Sequence, residues 1–438
     1  MKRIILTIGV MASLLLSFTA CVQKGGNGGN ADAGATIKVG IYADLSGATS
    51  SFGQSTKNGI ELAIEEINAN GGVLGKKLEP IIEDDQGRPE QAKTVVQKLI
   101  SQDKVQVVLG EVASTNSLAA APVAQDAKIP MISPSSTNPK VTETGDYIFR
   151  VCFIDPFQGS VMAKFAANEL KAKTAAIFGD VQSDYSKGLT QYFTEEFTKL
   201  GGKVVDNQAY TQNDTDFKGQ LTNIRQKNPD VIYVPGYYGE VGIIVKQARE
   251  LGMTQPILGG DGWDSPKLWD LGGDALKNTY ISNHYSVENP APEIQKFVKA
   301  YEAKYKTKPD SLAALAYDAA YILADSLKRA GTADPAKLRD AIAATKDFKG
   351  VTGSITINDQ RNAVKPAVVL GLNPAEKSFT FKTTIAPAGA EKSDASADAS
   401  PAASPAGEEK TGDKSAETNS AKAPEGKSDA DKEKAAGQ

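Results

Sequence analysis

Short apolar runs alternate with stretches of helical periodicity along most of the chain. Ile37 to Ala43 predicts a strand. Ile60, Ala63, Ile64 and Ile67 then recur at helical spacing, and Asn70-Gly71-Gly72 stops the helix they define. Leu78 to Glu83 predicts the next strand. Pro89 opens a second helix, whose inner face is Ala92, Val95, Val96 and Leu99. Val105 to Leu109 and Ile129 to Ile132 continue the strands, with a helix between them. Strand and helix in strict alternation demand a parallel sheet covered on both faces, because each parallel connection needs a crossover.

The same plan then restarts. Ala175 to Phe178, Lys203 to Ala209, Val231 to Val234 and Pro256 to Leu258 read as strands, separated mostly by helices of ordinary length. The fold class is therefore α/β, with two doubly wound, largely parallel sheets in succession. Ligands of such sheets lie beyond the carboxyl ends of the strands. Two sheets facing each other at those ends enclose a cleft.

The 438 residues suffice for two or three domains, and 40% hydrophobic with 23% charged residues is the balance of a globular protein. A formal net charge of −4 gives no reason to expect nucleic acid as a partner. The chain has one histidine, His284, in Ile-Ser-Asn-His-Tyr-Ser beside no carboxylate motif, and it reads as structural. Ser-His-Asp, Cys-His and multi-histidine metal centres each need histidine in a particular setting. No catalytic residue, metal or cofactor is expected.

The two ends carry a different signal. Lys2 and Arg3 precede an apolar run from Ile4 to Phe18, with Thr19-Ala20 before Cys21: a secretory signal over residues 1–20, too short for an ordinary membrane span. The placement of Cys21 resembles a bacterial lipoprotein processing site, which implies lipidation of its sulfur and a membrane contact through that anchor; plain secretion is the alternative. Residues 21–35 form a Gly- and Asn-rich tether. From residue 386 to 438 the chain is Ala, Ser, Asp, Glu, Lys, Pro and Gly without an aromatic, a composition expected to stay disordered. Cys152 is the second of two cysteines and lies in an apolar run, so no disulfide within the processed chain is expected and the thiol reads as buried.

Several stretches, in order, resemble the branched-chain amino-acid-binding proteins of ABC transporters. They are Leu45 to Gly53, Asn68 to Gly72, Glu83-Asp-Asp85, Ser133 to Thr137, Tyr185 to Leu189, Tyr233 to Tyr238 and Leu258 to Trp263. The similarity runs from about Thr36 to Ile385. It implies a two-lobed type I periplasmic-binding fold with three hinge crossovers, near Phe153–Phe157, Ser282–Ser286 and Val351–Gly353. Lobe one would hold residues 36–155 and 286–351, and lobe two 156–285 and 352–385. Closure about such hinges is the motion expected of periplasmic binding proteins.

The ligand implied is a small amino acid, branched-chain or otherwise neutral, and the partner a permease in the cytoplasmic membrane. Its carboxylate needs N–H and O–H donors. Gly110 to Thr115 follows a strand and opens a helix, whose positive end suits an anion. By resemblance Ser114 and Thr137 bind that carboxylate, Ser135 offers its carbonyl to the ammonium, and Asp261 supplies the negative partner. Asp261 stands where the best-known members carry Glu, one methylene longer. Phe52, Tyr185 and Tyr237 match aromatic walls. The bland alternatives are a helix N-cap for Ser114, a loop hydroxyl for Thr137, a turn residue for Asp261 and plain packing for the aromatics. Trp263 is a further wall candidate.

Three other functions compete. The scaffold also serves transport of an amide, urea or aromatic acid. A sensory ligand-binding module is a second, disfavoured by the lack of a signalling domain. A hydrolase built on Asp44, Glu83, Asp84 and Asp85 is a third, against capping and hinge hydrogen bonding as their ordinary work.

Overall fold

The computed structural model describes residues 36–387. The signal segment, Cys21, the tether and the tail from residue 388 lie outside them.

Alternation of strand and helix produces the first sheet. Its strands are β1 (Ile37–Ala43), β2 (Leu78–Asp84), β3 (Val107–Leu109), β4 (Met131–Ser133) and β5 (Ile148–Arg150). The connecting helices are α1 (Ser50–Ala69), α2 (Pro89–Ser101), α3 (Ser114–Asp126) and the short α4 (Lys140–Glu143). The order is β2-β1-β3-β4-β5, parallel throughout, with Ile37 opposite Leu78 and Ala43 opposite Asp84.

The second sheet takes β6 (Thr174–Asp180), β7 (Lys203–Tyr210), β8 (Val231–Tyr233), β9 (Ile257–Gly259) and β10 (Thr279–Asn283). Helices α5 (Asp155–Lys164), α6 (Asp184–Lys199), α7 (Lys218–Lys227), α8 (Tyr238–Glu250) and α9 (Pro266–Gly272) accompany them. The chain then returns to the first lobe through α10 (Pro292–Tyr305), α11 (Ser311–Ala330) and α12 (Pro335–Ala343). After β11 (Phe348–Gly350), β12 (Gly353–Ile357) and β13 (Ala363–Val364), it ends in β14 (Ala367–Asn373) and β15 (Ser378–Ile385). The second sheet has the order β15-β14-β10-β9-β8-β6-β7, and its last two strands join it antiparallel.

The third return to the second sheet comes later than Val351–Gly353. Ile355, Ile357 and Ala363 are buried in the same core as Ile37, Ile60, Leu315 and Leu323. Residues 353–364 therefore belong with the first lobe, and the chain rejoins the second sheet only at Ala367. The alternating β12 has an apolar face that fits either lobe, and the first lobe's helices claim it.

The lobes touch. Ser51 and Ser265 hydroxyls lie 2.8 Å apart, and the Tyr238 hydroxyl donates to the Ala48 carbonyl at 3.1 Å. The Asp184 N–H donates to Thr115 Oγ1 at 3.0 Å, and the Ser311 N–H to the buried Asp264 carboxylate at 2.9 Å. Lobe-one Phe52, Val112 and Leu312 share one apolar cluster with lobe-two Tyr238, Trp263 and Leu268. This is a closed arrangement. Among the described residues no helix is long and apolar enough to cross a membrane.

Candidate ligand site

The ends of β3 and β4 set the first wall. Helix α3 starts at Ser114, and its N-cap position is Ala113, whose side chain makes no capping bond. Ser114 is thus not the N-cap; its Oγ accepts the Asn138 N–H at 3.2 Å, which brings it beside Thr137. The loop bearing Ser135 and Thr137 is held from beneath by Arg150. That side chain is fully buried and donates to the carbonyls of Ser136, Asn138 and Pro139 and to Thr142 Oγ1. Ser135 Oγ and Thr137 Oγ1 are buried with no hydrogen-bond partner in the chain. An unpaired buried polar atom costs on the order of 1–3 kcal/mol, a cost that a bound water or ligand offsets.

The second wall grows from β9. Gly259-Gly260-Asp261-Gly262-Trp263 turns through a single 3-10 turn, and its glycines are there for close approach. A Cβ on Gly260 would sit 2.4 Å from the Tyr185 hydroxyl and 2.7 Å from Gln158 Nε2; one on Gly262 would sit 2.7 Å from the Gly236 carbonyl oxygen. Trp263 anchors the turn, fully buried, with its indole N–H donating to the Val234 carbonyl at 3.0 Å. It is core rather than an open wall. Gly260→Ala is expected to displace Tyr185 and Gln158 at a cost of about 1–3 kcal/mol, read as a five- to hundredfold rise in ligand Kd by calorimetry.

Asp261 is buried at 3% exposure, with both oxygens engaged. Oδ1 accepts from Gln158 Nε2 at 2.7 Å and from the Tyr185 hydroxyl at 2.8 Å, while Oδ2 lies 2.9 Å from His284 Nε2. The Tyr185 hydroxyl also accepts the Gly262 N–H at 3.1 Å. Ser183 caps α6 by accepting the Ser186 N–H, which fixes the turn on which Tyr185 stands.

An aromatic stack joins the walls. Tyr185 lies parallel to Tyr237, with centroids 5.1 Å apart; Phe52 meets Tyr237 edge-on at 5.7 Å and Tyr238 at 4.8 Å. The Tyr237 hydroxyl has no partner in the chain. Asn138 Nδ2 donates to the Asp184 carbonyl at 2.9 Å and ties the loop of Thr137 to the start of α6. The seven residues singled out by resemblance therefore converge on the gap between the lobes. A cavity of about 170 Å³ between the lobes has Thr49, Thr115 and Asn116 on one side and Asp180, Gln182 and Tyr237 on the other; of the seven residues, Tyr237 alone lines it.

Three residues of this site carry no local sequence signal. His284 was read as structural, remote from carboxylates; the fold sets it against Asp261, stacked at 3.8 Å on Phe153. Gln158 reaches the same carboxylate from α5. Asp155 opens α5, its N–H donating to the Thr137 carbonyl at 2.9 Å, and neither oxygen of its buried carboxyl has a hydrogen-bond partner. Burial, with the Asp261 charge adding to it, pushes the Asp155 carboxyl up to about 8.

The carboxylates at the other strand ends do structural work. Asp44 accepts the N–H and hydroxyl of Thr49, Asp84 the Leu45 N–H and the Ser46 hydroxyl, and Glu83 pairs with Lys98. Asp44, Asp84 and Asp85 approach within 4.8 Å of one another, and burial pushes Asp85 up to about 7 and Glu111 well above its ordinary range. Cys152 is buried, and desolvation pushes its thiol up to about 12.

The chain is similar to known proteins over most of its length. A family model described as periplasmic binding protein matches residues 36–376. The leucine-, isoleucine-, valine-, threonine- and alanine-binding protein of Pseudomonas aeruginosa is 30% identical over 326 residues, covering 74% of this chain and 86% of that one. The leucine-binding protein LivK of Thermotoga maritima superposes with a TM-score of 0.77 at 40% identity, over 80% of this chain and 99% of that one. The branched-chain amino-acid substrate-binding protein LivJ of Streptococcus pneumoniae, solved with isoleucine, gives 0.75 at 35% identity, over 80% and 99%. With more than three quarters of its length matched, between two lobes closed on a shared polar gap, this chain belongs to the periplasmic binding protein family.

Proposed function

We propose that this protein is the extracytoplasmic receptor of an ABC importer, and that it captures leucine, isoleucine or valine between its lobes. The observation that carries the reading is the pairing of unlike surroundings across one gap. On one side Ser135 and Thr137 present partnerless buried hydroxyls beside Ser114 and the start of α3. On the other, Asp261 presents a buried carboxylate. A zwitterion fits that polarity. Its carboxylate takes Ser114, Thr137 and the positive end of α3, and its ammonium takes Asp261 and the Ser135 carbonyl. Phe52, Tyr185 and Tyr237 enclose the apolar side chain.

Closure follows from differential affinity. The donors for the carboxylate belong to lobe one and Asp261 to lobe two, so both ends of the ligand are satisfied only when the lobes meet. The closed face then docks on a membrane permease, with Cys21 as the lipid anchor that keeps the receptor at the membrane. The protein binds its solute and passes it on unchanged.

The test is calorimetry and thermal melting on protein unfolded and refolded to strip any carried solute. Leucine, isoleucine and valine are expected to bind and to raise the melting temperature, as preferential binding to the folded state requires. Urea, an aliphatic amide and benzoate serve as contrasts. A response to those without a response to any amino acid would overturn the reading.

A further inference from the structure

Asp261 owes its orientation to three donors, and one of them is a titratable imidazole. His284 is the only histidine in the chain, standing immediately after β10, where the chain leaves the second sheet. Its side chain is fully buried, stacked on Phe153, and its Nε2 lies 2.9 Å from Asp261 Oδ2. Nδ1 has no hydrogen-bond partner in the chain. A neutral ring carrying its proton on Nε2 satisfies both facts: the N–H points at the carboxylate, and the bare Nδ1 has no donor group to strand. An imidazolium would add a buried Nδ1–H with no acceptor.

We propose that His284 is a positioning residue for ligand recognition, whose neutral imidazole holds the Asp261 carboxylate in place for the ligand's ammonium and whose protonation expels that ammonium. This rests on the amino-acid reading above. An imidazolium at 2.9 Å takes the electrostatic place that the ammonium needs, and two cations then compete for one carboxylate.

The surroundings leave this competition exposed to pH. The 3-10 turn after β9 contributes Asp261, and the segment between β13 and β14 contributes Lys365, whose charge adds to the burial that pushes the His284 pKa below its ordinary value; the Asp261 bond works against that depression. Cys152, two residues past β5, and Tyr185 and Tyr233, from α6 and β8, are all pushed up by burial and stay uncharged near neutrality. Asp155, from α5, is pushed up to about 8 by burial.

The sign follows from linkage. The unliganded protein accepts a proton on His284, and the complex resists it. Affinity is therefore complete above the pKa of unliganded His284, which lies below the ordinary value of 6.5, and falls as pH drops through it, approaching tenfold per pH unit.

Three proteins decide the matter: wild type, His284→Gln and His284→Ala, titrated with L-leucine, L-isoleucine and L-valine between pH 4.5 and 8. The wild-type Kd is expected to rise about tenfold per unit on the acid limb. His284→Ala should weaken binding at pH 7.5 by about tenfold or more, and His284→Gln, which restores an N–H without a titrating group, should recover part of that loss. Both should lack the histidine limb. Because the chain has a single histidine, its Cε1 proton gives one NMR signal. Its midpoint should fall when ligand saturates the protein, and also in Asp261→Asn. An unchanged acid limb in His284→Gln, or a midpoint indifferent to ligand and to Asp261, would overturn the proposal while leaving amino-acid binding standing. If none of the three amino acids binds wild type at any pH, the amino-acid reading itself fails and takes this role with it.

Discussion

Asp261→Asn should abolish measurable capture of branched-chain amino acids while leaving the fold intact. The substitution removes one negative charge and little volume. In the wild type, Gln158 and Tyr185 donate to Oδ1 and His284 approaches Oδ2. An asparagine carbonyl oxygen can keep the first two bonds. Its amide can donate to His284 Nε2 only if the histidine moves its proton to Nδ1, which has no acceptor in the chain, at a cost of about 1–3 kcal/mol. The fold survives a local loss of that size. The ligand's ammonium, however, is buried without a counter-charge, which costs about 3–5 kcal/mol. At 1.4 kcal/mol per tenfold this is a loss of roughly a hundred- to several-thousandfold in affinity. Calorimetry and the disappearance of the ligand-induced rise in melting temperature measure it, and an intact response would remove Asp261 from the ammonium site.

Arg150→Ala should produce the largest loss of stability. Arg150 is fully buried, and no carboxylate is among its hydrogen-bond partners; its guanidinium is spent on the carbonyls of Ser136, Asn138 and Pro139 and on Thr142 Oγ1. Truncation strands those acceptors at about 1–3 kcal/mol each and leaves a cavity where a large side chain stood. Even with partial relaxation, a loss of about 4 kcal/mol is expected, visible as a lower urea midpoint. The same loop presents Ser135 and Thr137, so affinity should fall with stability. Arg150→Lys should restore little, since one ammonium cannot span acceptors that the planar fork reaches together. A variant within about 1 kcal/mol of wild type would show that the loop holds its shape without this scaffold.

How much of this was legible in the sequence depended on whether the deciding forces were local. Strand β1 was read to the residue because its apolar run is bounded by turn chemistry on the chain itself. Other strand ends shifted by up to two residues or so: β3 begins at Val107 rather than Val105, and β4 at Met131 rather than Ile129. The strands β12 and β13 were placed with the wrong lobe because an apolar face does not name its partner. Which core receives Ile355 and Ile357 is decided by helices that lie elsewhere in the sequence.

The site shows the same division. Asp261 and its glycines form one contiguous stretch, so the turn was visible even though the reason for Gly260 was not. That reason is the Tyr185 hydroxyl, 75 positions earlier by residue number. His284 was invisible as a partner because 23 residues separate it from Asp261 and only the adjacency of β9 and β10 brings them together. Ser114 was expected either to cap its helix or to bind ligand. The cap position falls one residue earlier, which leaves its hydroxyl to face Asn138.

The contacts that bring the lobes together have one further consequence. Among the described residues, each ion pair, that of His284 with Asp261 included, joins partners within a single lobe. The lobes meet instead through hydroxyls, backbone groups and the Asp264 carboxylate buried at the start of α11. Between dilute buffer and molar salt the Debye length contracts from about 30 Å to about 3 Å, and exposed charge pairs fade with it. A joint made mostly of uncharged hydrogen-bonding groups offers mobile ions little to screen. The closed arrangement of the lobes should therefore change little with ionic strength.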